Sequence, residues 1–138
     1  MTVRVLGACS LGGAGHFQPL VPLLDAALGR GCETRVIATP GLATLVGRSG
    51  HPFTAGGEPP EAEIAPIREA LPVLPAHQAS VLGNRDLFGS LATAAMLPAM
   101  RRLVDEWRPD LVLRDPCEYA SFIVAAEKGI PSAQAAIA

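Results

Sequence analysis

The feature that most restricts the fold of this chain is a regular alternation between short apolar runs and segments with helical periodicity. Four apolar runs are typical of buried strands, namely residues 3–8, 34–38, 52–55 and 110–114. After the first run, apolar residues recur at the spacing of one helical face: Leu20, Leu24, Ala27 and Leu28. Strands and helices that alternate with short links form right-handed βαβ units. The sequence therefore predicts an α/β domain in which a parallel sheet is flanked by helices.

Composition supports this class and excludes several others. Apolar residues make up 49% of the 138 residues but aromatic residues only 4%, so small aliphatic side chains must fill the core, as in helices packed on a parallel sheet. The formal charge of −2, without a cluster of basic residues, argues against nucleic acid and membrane partners. Because no run of about 18 apolar residues and no signal-peptide pattern is present, we expect a cytoplasmic protein.

Some local expectations depend on proline positions. Thr39 is placed to cap a helix whose first residue is Pro40. Residues 56–89 contain five prolines and no sustained period, so we expect irregular chain there, apart from a short helix between residues 61 and 71. Asp115 followed by a proline predicts another helix start, with this buried face: Tyr119, Phe122, Ile123 and Ala126. A last strand is expected to start within residues 131–138.

A glycine-rich turn, residues 12–15, lies between the first strand and the first helix. The spacing does not match a phosphate-binding loop, because His16 stands where that loop requires lysine. It does not match a dinucleotide fingerprint either, because Gln18 stands where glycine or alanine belongs. The pattern indicates a turn whose backbone approaches a ligand closely, with helix N–H groups able to receive a phosphate.

His16 and Asp115 both follow predicted strands, at the carboxyl edge where open parallel sheets bind ligands. If they face each other, the carboxylate fixes the imidazole tautomer and the imidazole takes a proton from a hydroxyl. We expect the helix N-terminus beside His16 to disfavour the protonated ring. The alternatives are structural: the histidine bonds a loop, and the aspartate caps a helix.

The other two histidines and the three cysteines are weaker candidates for functional residues. His51 and His77 lie in predicted loops without partners at ligand spacing, so we interpret both as solvated. The three cysteines are odd in number and widely spaced, which favours reduced thiols over disulfides or a zinc site. No metal site is expected.

Four segments of this chain have a sequence pattern typical of a known protein family: GHFQPLVPL at residues 15–23, AALGRG at 26–31, RVIATP at 35–40 and PDLVLRDP at 109–116. Together they resemble the N-terminal domain of GT-B glycosyltransferases, specifically the bacterial natural-product enzymes related to the UDP-glycosyltransferases. The resemblance runs over nearly the whole chain. One departure is Cys32, where relatives often carry histidine at a position without a catalytic role.

The resemblance implies a Rossmann-like, three-layer fold that forms the N-terminal half of a GT-B enzyme and binds the acceptor. It implies that His16 deprotonates an aglycone hydroxyl for inverting attack on a dTDP- or UDP-activated sugar, and that Asp115 orients the histidine. Residues 56–89 would then shape the acceptor pocket, with Leu82 and Phe88 in its apolar lining. Packing of these loops on the sheet is an equally good interpretation.

We assign further substrate contacts to Gly13, Gly15 and Phe17 of the turn. The resemblance also implies a second domain for the nucleotide sugar, which residues 1–138 do not contain, so we expect a single, truncated acceptor-binding domain without turnover of its own. Its expected partners are the acceptor and the nucleotide sugar, with no cofactor or metal, and a homodimer is compatible with the sequence. The alternative function is a non-catalytic α/β ligand-binding or glycosyltransferase-like accessory module.

Overall fold

Five parallel strands form one sheet in the order β3-β2-β1-β4-β5 in the computed structural model, which describes residues 1–136. The strands are β1 (Arg4–Ala8), β2 (Glu33–Ala38), β3 (Phe53–Ala55), β4 (Leu111–Arg114) and β5 (Ser132–Gln134). Strand β1 lies at the centre, between β2 and β4, and Ala8 is paired with Arg114 where β1 and β4 end. The loops that follow these two strands therefore leave the same edge of the sheet side by side.

The helices are α1 (Ala14–Phe17), α2 (Val21–Gly29), α3 (Ala43–Ser49), α4 (Glu61–Ala70), α5 (Ala76–Val81), α6 (Thr93–Trp107) and α7 (Ala120–Lys128). A π-helix, Leu82–Ala92, joins α5 to α6 without a break. Short 3-10 turns precede α2 and α3 and follow α4. No helix in the described residues is long and apolar enough to cross a membrane.

The core lies on both faces of the sheet because successive strand residues point to opposite sides. Leu6 on β1 packs with α6 and α7 in one cluster, whereas its neighbour Val5 belongs to the cluster formed with α2 and α3. Both clusters are built almost entirely from aliphatic side chains, with Phe17 the one aromatic among their fully buried members. This arrangement confirms the predicted three-layer, Rossmann-like α/β fold.

The region expected to be irregular is mostly helical from residue 61 onward. Pro66 lies inside α4, whereas Pro60 and Pro75 occupy the N-cap positions of α4 and α5. Proline is tolerated there because the first N–H groups of a helix have no intrahelical partner. The expected helix over residues 61–71 is confirmed and residues 56–60 are irregular as expected, but the prediction of irregular chain was wrong for residues 76–89, which are helical.

The helix expected at Asp115 begins five residues later, at Ala120. Glu118 provides the cap, since its Oε1 and Oε2 accept the N–H groups of Ala120 and Ser121 at 3.1 and 2.8 Å. The later start exposes Phe122, which was predicted to be buried. The observed buried face is Ala120, Ser121, Val124 and Ala125.

Two smaller expectations also differ. Thr39 occupies an N-cap position, but its side chain makes no capping hydrogen bond. In α2 the predicted apolar face is narrower than expected, because Leu24 is buried while Leu28 is exposed. The expected last strand forms as β5, and residues 137 and 138 of that expectation lie outside the described residues.

Candidate active site

His16 is placed at the carboxyl edge of the sheet by the turn after β1. It is the third residue of the one-turn helix α1, and its N–H donates to the carbonyl of Gly13 at 3.2 Å. The next residue, Phe17, is 1% exposed and anchors this turn in the core. The His16 side chain itself is 23% exposed, so the imidazole stays accessible to a ligand.

Asp115 follows β4 and is brought beside His16 by the pairing of β4 with β1. His16 Nδ1 lies 3.2 Å from Asp115 Oδ1. The carboxylate is almost fully buried, and two backbone groups hold it: the N–H of Ser10 donates to Oδ2 at 2.6 Å and that of Cys117 to Oδ1 at 2.7 Å. Such donors stabilise a buried carboxylate in its charged form.

When His16 is neutral, its hydrogen bond to Asp115 is compatible with only one position of the ring proton. Because Asp115 only accepts hydrogen bonds when ionised, the imidazole proton lies on Nδ1 and Nε2 carries the lone pair. Nε2 is therefore the atom that can accept a proton from a bound hydroxyl. The geometry brings together the two residues that the sequence placed on facing loops, and their catalytic role stays a prediction.

The electrostatics differ from the expectation for a helix N-terminus. The hydrogen bond to Asp115 raises the pKa of His16 above 6.5, an effect that burial partly opposes and the Asp115 charge reinforces. Helix α1 has only four residues and His16 lies in its last turn, so a helix dipole has little effect there. The expectation that the helix disfavours the protonated ring was wrong.

Gly12 is a site residue that sequence reasoning did not select. Its φ is +134°, and a Cβ at this position would lie 2.6 Å from His16 Cδ2 and 2.9 Å from Nε2. Only glycine allows the backbone to approach the imidazole this closely. The glycine run at residues 12–15 was the only sequence feature that pointed to Gly12, and it does not indicate which glycine lies beside the histidine.

The donors to Asp115 also could not be found from sequence. The groups that bind the carboxylate are backbone N–H groups of Ser10 and Cys117, and any non-proline residue carries such a group. Their positions follow from loop geometry rather than from residue type.

The expected substrate contacts are distributed unevenly. Phe88 lies against His16, with ring centroids 5.5 Å apart and planes tilted by 47°. Phe17 is buried in the core, which is a packing role rather than the expected substrate contact. Gly13 and Gly15 have open space at their Cβ positions, and Leu82 is half-buried in the first turn of the π-helix. The roles of these three residues stay predictions.

His16 and Asp115 also belong to a group of side chains that are close enough to hold a metal ion. His16, Asp115 and Cys117 offer ligand atoms that lie within 4.8 Å of one another. The Asp115 oxygens, however, already accept two N–H groups and the His16 contact. Burial, followed by the charge of Asp115, raises the pKa of the Cys117 thiol, which disfavours the thiolate that a metal binds. The donor set is better suited to a hydrogen-bonded dyad.

His51 is not solvated, contrary to the sequence interpretation. It is buried between α2 and β2, where its Nδ1 lies 2.8 Å from Thr34 Oγ1 and its Nε2 lies 3.0 Å from Asp25 Oδ1. His77 is exposed as expected but belongs to α5 rather than to a loop. His51 therefore links structural elements at a position separate from His16.

Comparison with known proteins identifies relatives of this chain. Residues 29–137 match the family model described as erythromycin biosynthesis protein CIII-like, N-terminal domain. The chain is 35% identical over 133 residues to L-demethylnoviosyl transferase of Streptomyces niveus and 36% identical over 135 residues to elloramycin glycosyltransferase ElmGT of Streptomyces olivaceus. Each alignment covers 94% of this chain but only 33% and 35% of the relative. The chain thus spans about a third of the length of these relatives.

Solved structures agree with the sequence relatives. The glycosyltransferase SsfS6 of Streptomyces sp. SF2575 superposes with a TM-score of 0.80 at 26% identity, over 96% of this chain and 38% of SsfS6. SsfS6 has also been solved in complex with thymidine diphosphate, a structure that superposes with a TM-score of 0.68 at 22% identity. The chain belongs to the EryCIII-like N-terminal domain family, the N-terminal domains of natural-product glycosyltransferases with the GT-B fold.

Proposed function

We propose that this chain is the acceptor-binding part of an inverting glycosyltransferase that transfers a sugar from a dTDP- or UDP-sugar to a hydroxyl of a natural-product aglycone. The observation that carries the proposal is the contact of 3.2 Å between His16 Nδ1 and the buried carboxylate of Asp115. A buried carboxylate behind an accessible imidazole is the arrangement that general base catalysis requires.

The proposed reaction begins with neutral His16. Nε2 removes the proton of the acceptor hydroxyl while the hydroxyl oxygen forms a bond to the anomeric carbon. The bond from that carbon to the nucleoside diphosphate breaks on the opposite face, and the diphosphate leaves with the electron pair, so the configuration inverts. The imidazolium that forms is stabilised by Asp115, whose charge is held by the N–H groups of Ser10 and Cys117.

The acceptor is proposed to bind beside Phe88, on the side of the site formed by the π-helix. The contact between Phe88 and His16 supports this position, because an apolar ring next to the base suits an aglycone with little charge. Leu82, Gly13 and Gly15 are the further candidates for acceptor contacts. The roles proposed here use side chains and backbone groups of the protein, without a resident cofactor or metal.

The donor site is proposed to lie mainly outside residues 1–138. The thymidine diphosphate complex of SsfS6 supports a dTDP-sugar as donor. Because the relatives are about three times as long as the aligned region, there is room in them for a nucleotide-sugar domain. We therefore expect the 138-residue chain alone to bind acceptor without transferring sugar.

Replacement of His16 tests the proposal. In the complete enzyme, His16→Ala is expected to lower kcat by at least about a thousandfold, because the acceptor hydroxyl loses its base. Acceptor affinity, measured by calorimetry, should change little. The matched control is His77→Ala, which removes an exposed imidazole on α5. Sugar transfer at the wild-type rate by His16→Ala would exclude His16 as the base, and binding of acceptor or nucleotide without any transfer by the complete protein would favour the accessory module.

A further inference from the structure

We propose that Phe88 is a positioning residue for His16, which holds the imidazole so that Nε2 faces the acceptor hydroxyl. This inference rests on the proposed role of His16 as the base. It assigns Phe88 an action on the histidine itself, in addition to any contact with the acceptor.

The backbone position of Phe88 in the π-helix depends on the residues that follow it in the chain. In a π-helix the hydrogen bonds join residues five apart, and such segments often occur at functional sites. A Cβ on Gly89 would lie 2.8 Å from the carbonyl oxygen of Asn84, five residues earlier. Thr93 Oγ1 donates to the carbonyl of Phe88 at 2.7 Å and links the π-helix to the first turn of α6. The backbone at Phe88 is therefore held from both sides.

Three separate segments enclose the imidazole. Asp115 bonds Nδ1, the Gly12 backbone leaves no room for a side chain beside Cδ2 and Nε2, and Phe88 packs on the ring at a tilt of 47°. One hydrogen bond leaves the imidazole free to tilt, since the outer torsion of histidine is broad. The contacts with Phe88 and Gly12 remove that freedom without adding a charge.

Two titratable groups beside His16 come from the loop after β4. Asp115 is in direct contact, and the Cys117 thiol lies within 4.8 Å of the ligand atoms of this pair. Burial partly opposes the effect of the Asp115 hydrogen bond on the pKa of His16. The ring of Phe88 packs beside the imidazole without adding a charge, so its action on His16 is one of position.

Proton transfer is sensitive to such positioning. A general base must lie within about 2.6–3.2 Å of the proton donor, and a displacement of about 1 Å can lower the rate a hundredfold. Loss of Phe88 should therefore reduce the chemical step more than it weakens acceptor binding. A residue that only lined the acceptor pocket would act mainly on KM.

The test combines spectroscopy of the 138-residue chain with kinetics of the complete enzyme. The His16 ring resonances are followed by NMR as a function of pH in wild type, Phe88→Ala, Phe88→Leu and Phe88→Tyr. In Phe88→Ala we expect the imidazole to tilt and its hydrogen bond to Asp115 to weaken, which gives a mixture of the two neutral tautomers, a lower pKa of His16 and a kcat about tenfold lower, with a smaller change in KM. Phe88→Tyr should restore the wild-type values, because it keeps the aromatic ring.

Two controls keep the result interpretable. Val81→Ala removes another partly exposed apolar side chain just before the π-helix and should leave the His16 titration unchanged. If Phe88→Ala does not fold, Phe88→Leu tests the same point, since leucine fills the space without a ring. A change in KM alone, with the His16 titration and kcat of wild type in both variants, would overturn the inference. Full transfer by His16→Ala would instead overturn the proposed base and leave the NMR result standing.

Discussion

Two histidine–aspartate pairs within residues 1–136 have opposite patterns of burial. At the carboxyl edge of the sheet, the His16 side chain is 23% exposed and its partner Asp115 only 1%. In the second pair, the His51 side chain is 1% exposed and its partner Asp25 is 58% exposed. The contacts are nearly equal in length, 3.2 Å from Nδ1 of His16 and 3.0 Å from Nε2 of His51. Burial separates an accessible imidazole from an enclosed one.

The different burial of the two pairs distinguishes a candidate base from a structural histidine. A buried carboxylate held by backbone N–H groups cannot turn away from its partner, so it keeps the His16 imidazole in one tautomer, with the lone pair on Nε2. In the second pair both ring nitrogens of His51 are occupied, by Thr34 and Asp25. His51 has no free nitrogen to accept a substrate proton. We therefore expect changes near His16 to affect turnover and changes at His51 to affect stability.

A large effect on turnover, second to that of His16→Ala, is expected when the backbone beside His16 is altered. Gly12→Ala places a Cβ within 2.6 Å of the imidazole and requires alanine at a φ of +134°. Displacement of the ring should lower kcat by at least about a hundredfold. Gly41→Ala is the matched control, since Gly41 also follows a strand and has open space at its Cβ. Wild-type turnover in Gly12→Ala would show that the position of the His16 ring does not matter.

A smaller effect, on stability rather than turnover, is expected at His51. His51→Ala leaves the buried Thr34 hydroxyl without its partner and opens a cavity, which should lower the free energy of unfolding by about 2 kcal/mol. Urea denaturation of the 138-residue chain measures this loss, and kcat of the complete enzyme should remain that of wild type. Asp25→Asn should change stability by less than about 0.5 kcal/mol, because Asp25 is exposed. A loss of turnover in His51→Ala with normal stability would contradict the distinction between the pairs.

The parallel sheet and the facing positions of His16 and Asp115 could be predicted because they depend on periodicity and chain order. Parallel strands bring the loops at their carboxyl ends to one edge, so residues directly after two adjacent strands come together without knowledge of side-chain packing. The resemblance of residues 15–23 to a known family added the proposed role of His16.

Other features depend on tertiary contacts and could not be predicted. His51 has no local signal for burial, because its partners Thr34 and Asp25 lie 17 and 26 residues away in sequence. The start of α7 was misplaced because Asp115 is bound to His16 and Ser10, while Glu118 provides the cap. Continuous helix from residue 76 to 107 includes a π-helix, whose period differs from that of the α-helix used to interpret the sequence.

The most direct test of the account is the pH dependence of kcat/KM in the complete enzyme, compared between wild type and Asp115→Asn. Only neutral His16 accepts a proton, so transfer should increase as the pH rises through the pKa of His16, which Asp115 raises above 6.5. Asp115→Asn removes the charge that favours the imidazolium, so the increase should occur at lower pH, and the plateau should fall by about tenfold or more because the tautomer is no longer fixed. An unchanged pH profile and plateau in Asp115→Asn would contradict the central claim that Asp115 holds His16 as the base.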